Sequence, residues 1–281
     1  MRISFSKSVT ESLLAKIRSG EMMSRNEKFN LIIQLSIPSI LAQVTTVLMF
    51  YIDAGMVGSL GAEPSAAIGL VEPATWLFFS LVSAVTMGFS VQVAHFIGAN
   101  DFAKARAVMR HGYIFGLCFA LFLLLITFLI GYRLPVWLGG GADIQHDATV
   151  YFLIFSLIIP FHLIEYMSAA MLKVSGDMRR PSFMAILMCV LDVIFNYFFI
   201  FPTRTVSLLG VEMTMPGLGE GVAGAALGSL LSFVCVALPL AYYAIFRSPI
   251  LAWKQDVERF VWRWQYIWNA MKIGAPMALQ Y

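Results

Sequence analysis

Charge is what this sequence has least of. Only 12% of its 281 residues are Asp, Glu, Lys or Arg, against about 25% in an ordinary soluble domain. A water-soluble globule of this length is excluded on that ground. Cysteine is sparse as well. Cys118, Cys189 and Cys235 fall in three different apolar stretches with no CxxC or Cys/His spacing, which excludes a disulfide scaffold and a zinc site. They read as small packing residues. There is no GxSxG, HExxH or Walker motif, so nothing points to a membrane enzyme. Gly219 to Gly224 formally match GxGxxG, but a dinucleotide site needs a preceding strand and a βαβ unit, and here an apolar stretch follows a loop. No cofactor and no nucleic-acid partner is expected. A signal peptide is excluded too, because residues 1–20 lack a continuous apolar core.

What fills the gap is apolar. Hydrophobic residues make up 59% of the chain and the mean hydropathy is +0.80. A bilayer core requires about 20 apolar residues in a helix. Six stretches meet that need, at 31–57, 69–97, 108–132, 149–172, 182–202 and 221–246, and a seventh begins near Trp268. The fold expected is an all-α membrane protein: a six-transmembrane-helix bundle plus the start of a seventh helix. Of the nineteen Lys and Arg, all but Arg133 and Arg204 fall in segments that share one side. Basic loops stay in the cytoplasm, so the N-terminus is placed inside a multi-pass plasma-membrane protein.

Residues 1–29 form a cytoplasmic N-terminal segment, in which Val9–Ile17 is either a short amphipathic surface helix or a tail. Residues 30–246 are the six-helix lobe. Residues 247–267 alternate Trp with charge and read as an interfacial connector. Residues 268–281 open a second repeat, because "KIGAPMALQY" echoes "QLSIPSILAQ", with Pro276 aligned on Pro38. Transporters are often built from two such repeats, so a C-terminal six-helix lobe is expected as the missing partner.

Polar residues inside apolar stretches carry the functional signal, since an ionised Asp at the bilayer centre costs about 2.5–3.5 kcal/mol. Asp53, Asp192, Asn196 and Ser229 share one depth, roughly 8–15 Å below the outer helix ends at 1.5 Å per residue. Two carboxylates, an amide and a hydroxyl suit a proton or a small hard cation. Each also has a plainer reading. Asp53 sits in interfacial water, Asp192 makes a structural bond to Asn196, or Ser229 bonds its own backbone. His162 and Glu165, at i and i+3, and Glu72 are candidates for a proton relay or substrate contact. Against that, Glu165 lies near Lys173 and Glu72 near the headgroups. Gly224 and Gly228 form a GxxxG pair suited to close helix packing. Pro38, Pro160 and Pro239 interrupt helices, as bending points or static kinks.

Four strings then carry a family resemblance. "IPSILAQVTTVLMFYIDAGMVGSLGAEPSAAIGL", "GFSVQVAHFIGANDFAKARAVMRHG", "KVSGDMRRPSF" and "GLGEGVAGAALGS" resemble, in order, segments of multidrug and toxic compound extrusion (MATE) transporters. The resemblance implies the N-lobe of a twelve-helix fold. It also implies export of amphipathic, often cationic drugs or metabolites across a bacterial cytoplasmic membrane, driven by Na⁺ or H⁺. The family's N-lobe cation site maps onto Asp53 and the Asn-x-x-x-Asp pair, here exchanged as Asp192 and Asn196. Ser229 stands where the family often has Thr, and the Ala225 carbonyl is implied as a further ligand. No metal beyond Na⁺ at Asp53, Asp192 and Asn196 is expected. A lipid-linked oligosaccharide flippase of the same superfamily and a non-transporting structural bundle are the alternatives. The near absence of mid-membrane Arg and Lys speaks against the first, and Asp192 against the second.

Overall fold

The computed structural model describes residues 21–208, 211–255 and 260–278, together with Ser12, Leu13, Ala15, Lys16 and Ser19. Most of the Val9–Ile17 segment therefore lies outside the described residues, although Lys16 pairs with Glu27. α1 spans Arg25–Gly58. It starts where Ser24 and Glu27 exchange side-chain and backbone hydrogen bonds, a capping box that satisfies two otherwise orphaned N–H groups. α2 spans Ala62–Gly98 and α3 Phe102–Gly131. Asp101 caps α3 by accepting from the Lys104 N–H at 3.1 Å. The Lys104 ammonium, 2.7 Å away, holds the Asp101 carboxyl below the usual carboxylate range.

A short α4 (Leu134–Trp137) leads to α5 (Gln145–Ser156) and α6 (Ile158–Val174), followed by α7 (Arg179–Ile200) and α8 (Gly221–Tyr242). α9 (Trp264–Ala278) begins at Trp264 rather than at Trp268. Among the described residues five helices are long and apolar enough to cross a membrane, and the α5–α6 pair, bent by 40°, has the length and composition of a sixth if its two pieces form one broken span. The bend has a local cause. Pro160 has no N–H for the Ser156 carbonyl and its ring crowds it, so the helix breaks at Leu157. Pro38 leaves α1 unbroken. Beyond Pro239, α8 loosens into a π-helical turn at Tyr243–Arg247.

The expected loop between the fifth and sixth spans is instead a β-hairpin. β1 (Pro202–Leu208) pairs antiparallel with β2 (Val211–Leu218), with Arg204 opposite Met215 and Thr205 opposite Thr214. The alternation in "TRTVSL" and "VEMTM" is the reason, since alternate residues fall on opposite faces of a ribbon.

Small residues set the closest helix contacts. On α8, a Cβ at Gly224 would stand 2.4 Å from the Phe199 carbonyl oxygen, so α8 lies directly on α7. α9 docks on α2 in the same manner. A Cβ at Gly88 would meet the Ala270 oxygen at 2.1 Å, and one at Gly274 the Ala84 oxygen at 2.4 Å. Gln92 Nε2 donates to the Tyr266 carbonyl across this seam at 3.0 Å. The connector is strapped to α3. Arg106 donates to the Ile250 carbonyl at 3.1 Å and Arg110 to that of Trp253 at 2.8 Å. His111 Nε2 accepts from the Arg263 N–H at 2.8 Å. Of the cysteines, only Cys189 is buried. Cys118 and Cys235 are exposed on the flank of the bundle, which corrects the reading of all three as packing residues.

Candidate cation site

Three helices bring the site together. α1 supplies Asp53, α7 supplies Asp192 and Asn196 one turn apart, and α8 supplies Ser229 and Ser232. The approach of α8 is what makes it compact, because at Gly228 a side chain is replaced by Asn196. A Cβ there would fall 2.1 Å from Asn196 Oδ1. Asn196 Nδ2 donates to Asp53 Oδ1 and to Asp192 Oδ2, both at 3.0 Å. One amide group thus bridges two carboxylates, which lie within two hydrogen-bond lengths of each other. The second oxygen of Asp192 accepts from Ser232 Oγ at 3.1 Å, and the Ser229 hydroxyl also reaches Asp192. Asp192 and Asn196 are each 1% exposed, while Asp53 is half-buried.

The electrostatics are unbalanced. Among the described residues neither carboxylate has an ion-pair partner. Two anionic oxygens side by side in a low-dielectric surrounding repel, and an amide adds a dipole but no charge. Asn196 Oδ1 is buried without a hydrogen-bond partner, a deficit of about 1–3 kcal/mol for such an acceptor. Carboxylate, amide and hydroxyl oxygens converging around missing positive charge are the donor set of a proton or a hard cation.

Ala225 packs with Val57 and Ile200, one turn beyond Asp53 and Asn196, and closes the site on that side. The other three candidates lie apart from the carboxylate pair. Glu72 is exposed and accepts from Trp76 Nε1 at 3.3 Å on its own helix. His162 lies flat on Phe79, 4.3 Å between ring centres, and Glu165 is within electrostatic reach of Lys173. None of the three hydrogen-bonds to Asp53 or Asp192.

Two residues at the site went unread in the sequence. Ser232 follows Ser229 by three residues and so shares its face, a signal that was available. Tyr151 of α5 packs against the Val57–Ile200–Ala225 layer and lies within electrostatic reach of Glu72, Asp53 and Asp192. As an aromatic residue in an apolar run it carried no mark of its own.

A family profile described as MatE matches residues 38–198, more than half of the chain. The chain is 24% identical over 258 residues to "Probable multidrug resistance protein NorM" of Neisseria meningitidis serogroup A / serotype 4A, covering 91% of this chain and 53% of that protein. It is 23% identical over 264 residues to the "FAD transporter" of Shewanella oneidensis, covering 88% and 53%. It thus spans about half the length of the curated relatives it matches. The outward-facing conformation of a multidrug resistance MATE family transporter of the MOP superfamily superposes with a TM-score of 0.78 at 22% identity, over 98% of this chain and 55% of that one. That likeness concerns the fold alone.

Proposed function

Because the chain belongs to the MatE family of transporters, we propose that it forms the N-terminal lobe of a cation-coupled antiporter exporting amphipathic, often cationic compounds across the cytoplasmic membrane. The observation that carries this reading is the uncompensated pair Asp53 and Asp192 bridged by Asn196. The excess of Lys and Arg on one side supports an orientation with the N-terminus inside. A second six-helix lobe, opening at α9, is the partner against which substrate is held.

In this mechanism an incoming proton or Na⁺ offsets one of the two negative charges, relieves the repulsion between the carboxylates and draws α1 toward α7 and α8. The ion shifts the inward-open and outward-open states only by its differential affinity for them. Asp53 is the pivotal ligand, because it alone comes from α1 and so reports the separation of that helix from the other two.

The test is efflux of a fluorescent cationic dye from cells expressing the intact reading frame, with Asp53→Asn and Asp192→Asn alongside, and Na⁺ present or absent at fixed pH. Efflux falls to background in both variants while the protein still reaches the membrane, and the Na⁺ dependence names the ion. Normal efflux by Asp53→Asn would overturn the site. A membrane-inserted wild type that moves no dye would turn the substrate toward lipid-linked or nucleotide-like compounds.

A further inference from the structure

A file of stacked rings runs from the apolar layer beside the carboxylate site past the break between α5 and α6. Tyr151, which touches the layer above Asp53 and Asn196, stacks on Phe155 at 5.3 Å and 20°. Phe155 stacks on Phe79 at 5.4 Å and 24°. Phe79 stacks on His162 at 4.3 Å and 17°, and Phe233 of α8 sets its edge against both Phe79 and His162. Tyr151 and Phe155 belong to α5, His162 to α6, and between them the helix is broken and bent by 40°. The two pieces are therefore joined twice, once through the backbone at Leu157 and once through a ring of α2. A void of about 10 Å³, lined in part by Thr75, Phe79, Phe155 and Ser156, lies beside the stack. At its far end both nitrogens of His162 are buried without a hydrogen-bond partner, so a small displacement changes what that ring meets.

We propose that this stack is a relay in which Phe79 is the positioning residue, carrying occupancy of the Asp53–Asp192 site to His162 across the broken span. The relay rests on the cation-coupled reading above and adds a route to it. Contact-by-contact transmission needs an element with two arrangements, and the relay assigns that part to the bend at Leu157. Rings in face contact resist compression, so a shift of Tyr151 along the stacking direction is passed to Phe155 and Phe79. Leucine at position 79 fills similar space without a flat face and breaks the file. Tyrosine keeps the face.

The experiment uses the product of the intact reading frame in nanodiscs with isotope-labelled histidine, the His162 signal being assigned by its loss in His162→Gln. Na⁺ is titrated at pH 8, and protons from pH 8 to 5.5 in K⁺. Cation binding is read separately as thermal stabilisation that disappears in Asp53→Asn. The expected result is a displacement of the His162 signal in step with that stabilisation. It is absent in Asp53→Asn, reduced at least threefold in Phe79→Leu and retained in Phe79→Tyr. A stabilised protein whose His162 signal does not move, or moves equally in Phe79→Leu, overturns the relay and leaves the cation site standing. No Asp53-dependent stabilisation by either ion overturns the cation reading and the relay with it. Should Phe79→Leu fail to fold, the same comparison is made with Phe155→Leu.

Discussion

Gly228 faces Asn196 so closely that a methyl group on its α-carbon would stand 2.1 Å from Asn196 Oδ1 and 2.9 Å from the Asn196 backbone nitrogen. Neither atom can withdraw freely, since the first sits on the amide whose Nδ2 bridges the two carboxylates and the second belongs to the helix. Gly228→Ala is expected to cost about 1–3 kcal/mol, the range for forcing extra volume into a packed interior. Gly69→Ala, whose Cβ would meet no neighbouring element within 4 Å, is expected to gain about 0.5–1 kcal/mol from the helix preference of alanine. Thermal unfolding in detergent compares the two, and equal midpoints would contradict the close contact.

Ser232 and Ser229 are separable in the same manner. The Ser232 hydroxyl donates to Asp192 and also touches the Ser229 carbonyl. A bond to a charged acceptor is worth about 1.5–3 kcal/mol, so on the cation-coupled reading proposed above Ser232→Ala shifts the cation concentration for half-maximal efflux by roughly tenfold or more. Ser229→Ala shifts it less. The reverse order would assign the ligand role to Ser229.

The connector strap gives a local prediction. Arg110 holds the Trp253 carbonyl and lies over the Trp253 ring at 5.4 Å. In Arg110→Gln the planar fork is lost. Amide exchange across residues 248–254 is expected to quicken about tenfold, while exchange in α7 and α8 is unchanged. Unaltered exchange in the connector would show that Arg106 and His111 suffice.

Asp101 supplies a pH-dependent term at the start of α3. Its carboxyl is held low by Lys104 and the Lys104 N–H, so its contribution is complete above the ordinary value of 3.8 and is lost as pH falls through the lowered one. Asp101→Ala removes an N-cap worth about 0.5–2 kcal/mol. The stability difference from wild type should therefore be flat between pH 8 and 5 and narrow only in stronger acid. A difference that grows on acidification would refute the assignment.

These sites differ in how visibly the sequence announces them. The spans are legible because a lipid-solvated helix leaves a run of apolar residues about 20 long, and Asp192 is legible because it interrupts one. The bend at Leu157 is half-legible. Pro160 marks a carbonyl that must go unpaired, but whether a helix bends there depends on neighbours, and Pro38 carries the same mark in an unbroken α1. The hairpin at Pro202–Leu218 is readable from its alternation once helices are not assumed. Ser232 escapes because a serine in a membrane helix usually bonds its own backbone, and only the rotation of α8 set by Gly224 and Gly228 turns it on Asp192. The ring stack has no linear signature, since its members come from α2, α5, α6 and α8. Cys118 and Cys235 show the opposite failure, because an apolar run does not say which of its flanks meets protein and which meets lipid.

The break at Leu157 bears on how the protein is made. α5 has 12 residues and α6 has 17, about 18 and 25 Å at 1.5 Å per residue, and each is shorter than a hydrocarbon core of about 30 Å. α5 is too short to be committed to the bilayer as a span of its own, and α6 stands at the lower limit of about 17 residues. They must enter as one unit, with the unpaired backbone at the break screened from lipid by protein. Phe79 already lies in α2 when that unit emerges from the ribosome, so the order of synthesis places the ring that receives both pieces ahead of them. Substitution at Phe79 would then lower the yield of correctly inserted chains before any effect on transport is felt.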